Sequence, residues 1–82
     1  MGFVASVNVM LKEGIADPQG QTIERALPAL GFTGVEHVRV GKRIRLQVEA
    51  PSEDEARARV EQMCEQLLSN PVIESYEVVL ES

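Results

Sequence analysis

Near the start of the chain, Phe3-Val4-Ala5-Ser6-Val7-Asn8-Val9-Met10-Leu11 alternates strictly, and nothing else in the sequence limits the fold as much. In an extended chain Phe3, Ala5, Val7, Val9 and Leu11 take one face, and Val4, Ser6, Asn8 and Met10 the other. A period of two with β-branched enrichment predicts a strand over 3–11. Such a strand needs pairing neighbours and a layer of cover, and one small domain spanning residues 1–82 must supply both. The second face is less polar than open solvent favours, so something is expected to cover it as well.

Downstream, Lys12 to Gly20 reads as a loop by its Gly and Pro content. Asp17 followed by Pro18 predicts a helix start, because Asp accepts from the free N–H groups of a first turn and Pro at the first position loses no bond. Ile23, Ala26, Leu27 and Leu30 recur at helical spacing. Pro28 is expected to tighten the last turn, and Gly31 to supply the left-handed stop. A second strand is predicted over 34–40 and a third over 43–50. In the third, Ile44, Leu46, Val48 and Ala50 oppose Arg43, Arg45, Gln47 and Glu49. Gly41-Lys42 between them suits a two-residue type II′ hairpin turn, which would put Arg39, Arg43 and Arg45 on one face with Lys42 at the tip. Ser52 with Glu55 three residues on is a capping box. It opens a helix whose stripe is Ala56, Val60, Met63, Cys64, Leu67 and Leu68. Ser69-Asn70-Pro71 ends that helix, and Val72 to Leu80 forms a last strand.

The order strand, helix, strand, strand, helix, strand predicts an α+β fold, a ferredoxin-like βαββαβ sandwich with two helices on one face of an antiparallel sheet. A bare second face carrying Val4, Met10 and Val78 implies self-association through the sheet, face to face or edge to edge.

Composition removes several classes of function. The formal net charge of −5 argues against nucleic acid, which is normally met by a basic domain. Phe3, Phe32 and Tyr76 are the only aromatics, too few for a base-stacking sheet. No apolar run reaches the roughly 20 residues that span a bilayer. A single cysteine, Cys64, excludes an internal disulfide and a multi-cysteine metal site. The start lacks a basic segment ahead of an apolar one, so no secretory signal is read and a cytoplasmic location is expected.

No nucleophile has a visible base. Cys64 lies mid-helix on the apolar stripe and reads as a packed core thiol. His37 has no partners at metal spacing and reads as a strand surface residue. Glu53-Asp54-Glu55 is accounted for by capping and by the helix dipole. The Gly14 to Gly20 loop has neither a P-loop nor a dinucleotide fingerprint. No catalytic residue, metal site or cofactor is therefore expected on this chain. The basic stretch Val38 to Leu46 remains, with Arg39, Lys42, Arg43 and Arg45 among the eight Lys and Arg residues. It is either a solvated face paired with Glu36 and Glu49 or a docking surface for something acidic.

Three segments together resemble a known family. Leu11-Lys12-Glu13 with Asp17-Pro18-Gln19-Gly20, then Val38-Arg39-Val40-Gly41-Lys42, then Met63-Cys64-Glu65-Gln66-Leu67-Leu68-Ser69-Asn70-Pro71-Val72-Ile73-Glu74-Ser75-Tyr76, are similar in order and spacing to PurS. That family is the small subunit of the bacterial and archaeal phosphoribosylformylglycinamidine synthase complex. The likeness covers essentially the whole chain, with Pro71 and Pro28 as departures. It implies a non-catalytic subunit, a dimer or dimer of dimers, that joins a glutaminase subunit to a large synthetase subunit. The synthetase, with ATP and Mg, would use ammonia from glutamine to convert formylglycinamide ribonucleotide to its amidine, and the small subunit would help ammonia pass. Placed by position, the partner-contacting set is Arg39, Gly41, Lys42 and Arg43 with Asp17, Gln19 and Gly20. Within it, Gly41 sets the turn and Asp17 serves first as a helix cap. The competing reading is an ACT-like module that binds small molecules near the Gly14 to Gly20 loop on the same element order. An acylphosphatase-like hydrolase would need an arginine in that loop, and Lys12-Glu13-Gly14 offers none.

Overall fold

The computed structural model describes residues 1–81. Three strands, β1 (Gly2–Leu11), β2 (Gly41–Glu49) and β3 (Glu74–Glu81), form one antiparallel sheet in the order β2-β1-β3. The alternating strand is central, which is why its odd positions are so apolar. Phe3 lies opposite Val48, Ala5 between Leu46 and Leu80, and Val7 between Ile44 and Val78. Ala5, Val7 and Val9 are buried. The expected split of β2 holds, with Ile44, Leu46 and Val48 packed on the core and Arg43, Arg45 and Gln47 exposed.

Helix α2 (Glu53–Met63) lies across all three strands. Its Ser52 hydroxyl accepts the Glu55 N–H at 3.2 Å, while the Glu55 carboxylate reaches forward to Arg59. Ala56, Val60 and Cys64, four residues apart, are fully buried against the sheet. A π-helical turn over Cys64–Leu68 then widens the repeat. It carries Leu68 onto the core and leaves Leu67 83% exposed, so Leu67 does not belong to the buried stripe. The Ser69 N–H and hydroxyl both donate to the Cys64 carbonyl and close this end.

Helix α1 (Pro18–Ala26) stands off the end of the sheet where β1 ends and β2 begins. As expected, Pro28 starts a tighter 3₁₀ turn (Pro28–Leu30), and Gly31 ends it at φ 94°. The apolar stripe of this arm is uncovered within one chain: Ile23, Leu30, Phe32 and Val35 are all exposed.

Residues 34–40 form no strand, and Gly41-Lys42 form no hairpin turn. Gly34 and His37 both sit at positive φ, 80° and 58°, which breaks an extended run. The Val38 N–H donates to Glu24 Oε1 at 3.0 Å and the Val40 N–H to Asp17 Oδ2 at 2.7 Å, so α1 takes the bonds a neighbouring strand would have used. Gly41 is already inside β2, opposite Met10. A Cβ there would lie 2.5 Å from the Val9 carbonyl oxygen, a backbone atom that cannot move aside, so the glycine is required by close strand approach and not by a turn. His37 is accordingly exposed in an irregular segment at positive φ, not on a strand.

The second sheet face carries Val4, Ser6, Asn8 and Met10 as expected, but Val79 in place of Val78, which is buried on the core side. Arg43 and Arg45 lie over its centre. Arg43 donates to Ser6 Oγ at 3.0 Å and Glu81 Oε1 at 3.1 Å, and Arg45 to Glu81 Oε2 at 2.9 Å. The two guanidiniums hold the Glu81 carboxyl below its ordinary range, Arg45 foremost. Ser6 is buried beneath them.

The fully buried side chains are no larger than Val and Cys, so each methyl carries a large share of the core. Val60→Ala removes two of them and leaves a cavity, an expected loss of about 1.5–3 kcal/mol in urea unfolding.

Candidate functional site

The loop after β1, the start of α1 and the segment entering β2 meet at one end of the sheet, and Asp17 joins them. As N-cap it accepts the Gly20 N–H on Oδ1 at 2.9 Å while Oδ2 accepts the Val40 N–H. It is 4% exposed. The Val40 amide, then the Gly20 amide, hold its carboxyl below the ordinary value against the opposing effect of burial, with Arg39 adding a smaller pull. Gly20 is buried where the chain crosses. A Cβ on it would stand 2.4 Å from the Val38 carbonyl oxygen, so only glycine lets the segment lie this close.

Arg39 turns back over the loop. Its guanidinium donates to the Ile15 carbonyl at 3.0 Å and the Lys12 carbonyl at 3.2 Å. Beside this knot opens a cleft of about 260 Å³, lined by Val9, Leu11 and Val40 on its apolar side and by Asp17, Gln19, Gly41, Lys42 and Glu74. Glu74 is held at the far side by the Asn70 N–H, which donates to its carboxylate at 2.6 Å.

The seven sequence candidates therefore separate. Asp17, Gln19, Gly41 and Lys42 line the cleft, and Gly20 packs against the Val38 carbonyl beside it. Arg39 is spent on loop carbonyls, and Arg43 lies on the opposite face of the sheet. Gln19 and Lys42 are the exposed polar side chains of the rim, and Lys42 forms no ion pair among the described residues. Glu74 and Glu24 were not singled out from the sequence. Each is an acid whose partner is a backbone amide, Val38 for Glu24 and the nearby Asn70 for Glu74, and such a bond leaves no periodic trace. Among the described residues no group of three or more His, Cys, Asp or Glu is placed to hold a metal ion, and no helix is long and apolar enough to cross a membrane. Cys64 is buried, and that burial, with Glu61 and Glu65 nearby, pushes its thiol up. The arrangement offers an exposed polar rim beside an apolar cleft wall.

The family model described as PurS, phosphoribosylformylglycinamidine (FGAM) synthase, matches residues 4–82. The chain belongs to the PurS family. It is 46% identical over 77 residues to the PurS subunit of Archaeoglobus fulgidus, covering 94% of this chain and 96% of that one. With the Methanocaldococcus jannaschii PurS subunit it shares 43% over 79 residues, 96% and 95% of the two chains. The fold superposes on a chain of the Thermotoga maritima PurLQS structure with a TM-score of 0.91 at 40% identity, covering 99% of both. This agreement of sequence and fold favours the PurS reading over an ACT-like module. The α+β class with an antiparallel sheet and two helices is that of the PurS structures.

Two consequences concern Asp17. Asp17→Asn replaces one acceptor by an NH2 that faces a backbone N–H, with an expected fall in Tm of about 4–8 °C. Because the folded carboxyl titrates below its unfolded value, near 3.9, its stabilisation is complete above that pH and is lost as pH falls toward the lowered folded value. Thermal melts from pH 5 down to pH 3 should therefore fall more steeply for the wild type than for Asp17→Asn.

Proposed function

We propose that this chain acts as a single-domain, non-catalytic subunit that joins a glutaminase subunit to a large ATP- and Mg-dependent synthetase subunit of phosphoribosylformylglycinamidine synthase. In that role it would brace the passage of ammonia from one to the other. The observation that carries the reading is the likeness to PurS along nearly the whole chain, in sequence and in fold. Ammonia is protonated readily in water, and a bridging subunit that keeps its path short and shielded gives the assembly a chemical reason. Work of this kind belongs in the cytoplasm.

The partner-contacting residues on this reading are Gln19 and Lys42 at the cleft rim, with Arg43 on the sheet's other face. Asp17, Gly20, Gly41 and Arg39 act indirectly, by fixing the backbone that presents them. Lys42 supplies a charge-assisted bond to a partner carboxylate. The chain also self-associates. The uncovered stripe of the α1 arm with Phe32 and Val35 is more apolar surface than so small a chain leaves in water. A second copy, meeting it through this arm and the sheet, supplies the cover.

Reconstitution with the synthetase and glutaminase subunits tests the proposal. Lys42→Glu combined with Gln19→Ala should keep the wild-type circular dichroism and melting temperature but weaken assembly about tenfold or more. Glutamine-dependent synthesis should fall with it while ammonia-dependent synthesis by the synthetase persists. Unchanged co-elution and unchanged glutamine use would remove the cleft rim from the interface. Full glutamine-dependent activity with this chain omitted would remove the bridging role itself.

A further inference from the structure

The outer edges of β2 and β3 are finished differently, and hydrogen-bond parity shows how. Lys12 N–H donates to the Ile73 carbonyl at 2.8 Å. In an antiparallel ladder with this register, Ser75, Glu77, Val79 and Glu81 then exchange bonds with β1, and Tyr76, Val78 and Leu80 turn their N–H and C=O groups outward. On the other side, the Ala50 N–H donates to the Met1 carbonyl. There the outward residues of β2 are Gly41, Arg43, Arg45, Gln47 and Glu49.

Both edges present outward backbone groups, and their charges are opposite. β2 carries Lys42, Arg43 and Arg45, whereas β3 carries Glu74, Glu77 and Glu81. Arg43 and Arg45 share the open sheet face with Glu77 and Glu81. A β2 edge from one copy laid against a β3 edge of another would set arginines beside glutamates on one continuous sheet. That contact is head-to-tail. It leaves a free β2 at one end and a free β3 at the other, so it propagates without closing.

One side chain stands in the way. Arg57, from α2, reaches round the sheet and donates from Nη1 to the outward carbonyl of Val78 at 2.9 Å. Val78 is the middle outward residue of β3, so one guanidinium occupies the acceptor an incoming strand needs. It also sets a cation where the basic β2 of another copy would arrive. Arg59, on the same helix, donates to the Glu49 carbonyl only at the far end of β2, so Gly41 to Gln47 stay clear.

We propose that Arg57 guards the β3 edge: it stops copies of this chain from joining β3 to β2 in an open-ended sheet, and so keeps self-association discrete. The guard works through one hydrogen bond and one charge, and both are removed in Arg57→Ala. The purified full-length variant should form assemblies several-fold larger than the wild type, growing with concentration in light scattering. Raised salt should dissolve them, because the contact relies on Arg–Glu pairs screened within a Debye length. Val60→Ala is the control for destabilisation alone, and its aggregates should grow with salt because salt strengthens apolar burial. Adding Glu77→Lys and Glu81→Lys to Arg57→Ala should return the discrete size. Wild-type size for Arg57→Ala at all concentrations, or assemblies that persist in high salt as those of Val60→Ala do, would overturn the proposal.

Discussion

The carboxylate of Asp17 is the bond on which the functional end of the molecule depends. It closes the first turn of α1 and holds the backbone at Val40, one residue before β2 begins. Through that second contact the helix fixes where β2 starts, which strand position falls to Gly41, and where Lys42 stands over the cleft. Glu24 repeats the arrangement about two turns along, at Val38. Two acids on a helix thus take the part of a neighbouring strand, and the crossing chain is extended without belonging to the sheet.

That substitution explains where the sequence was readable and where it was not. β1, the split of β2, the Ser52 cap, the Pro28 tightening and the Gly31 stop are local, set by periodicity and by residues with few conformations, and all could be read directly. The segment 34–40 looked like a strand because Val35, Val38 and Val40 are good strand formers. Its fate was decided by the carboxylates of Asp17 and Glu24, far away in sequence. Gly41 was misassigned for a related reason. A glycine between two apparent strands suggests a turn, and the demand of close approach to the Val9 carbonyl becomes visible only once the register is known. The displacement of Leu67 from the core likewise follows from a wider helical turn that no pattern of apolar residues announces.

The basic stretch between Val38 and Leu46 changes meaning in three dimensions. Arg39 bonds loop carbonyls, and Arg43 and Arg45 share Glu81 across β1. α2 uses its arginines in the same manner, with Arg57 and Arg59 both on strand carbonyls. The planar guanidinium, with five donors, suits this use, because it satisfies outward backbone acceptors while its stem covers apolar surface. Arg39, Arg57 and Arg59 therefore fasten backbone and Arg43 and Arg45 fasten Glu81, while Lys42 stands at the cleft rim with no ion pair among the described residues.

The outline of the chain has a consequence for its life in a cell. Its radius of gyration is 16.3 Å and its long axis 51 Å, against about 12 Å expected for a compact chain of this length. A body so drawn out, with a core of small side chains, gains stability by meeting another surface, and that gain rises with the concentration of the partner. Copies made in excess of their partners would spend more time open and be cleared sooner by proteolysis. A slender outline can in this way balance the supply of subunits with no dedicated regulator.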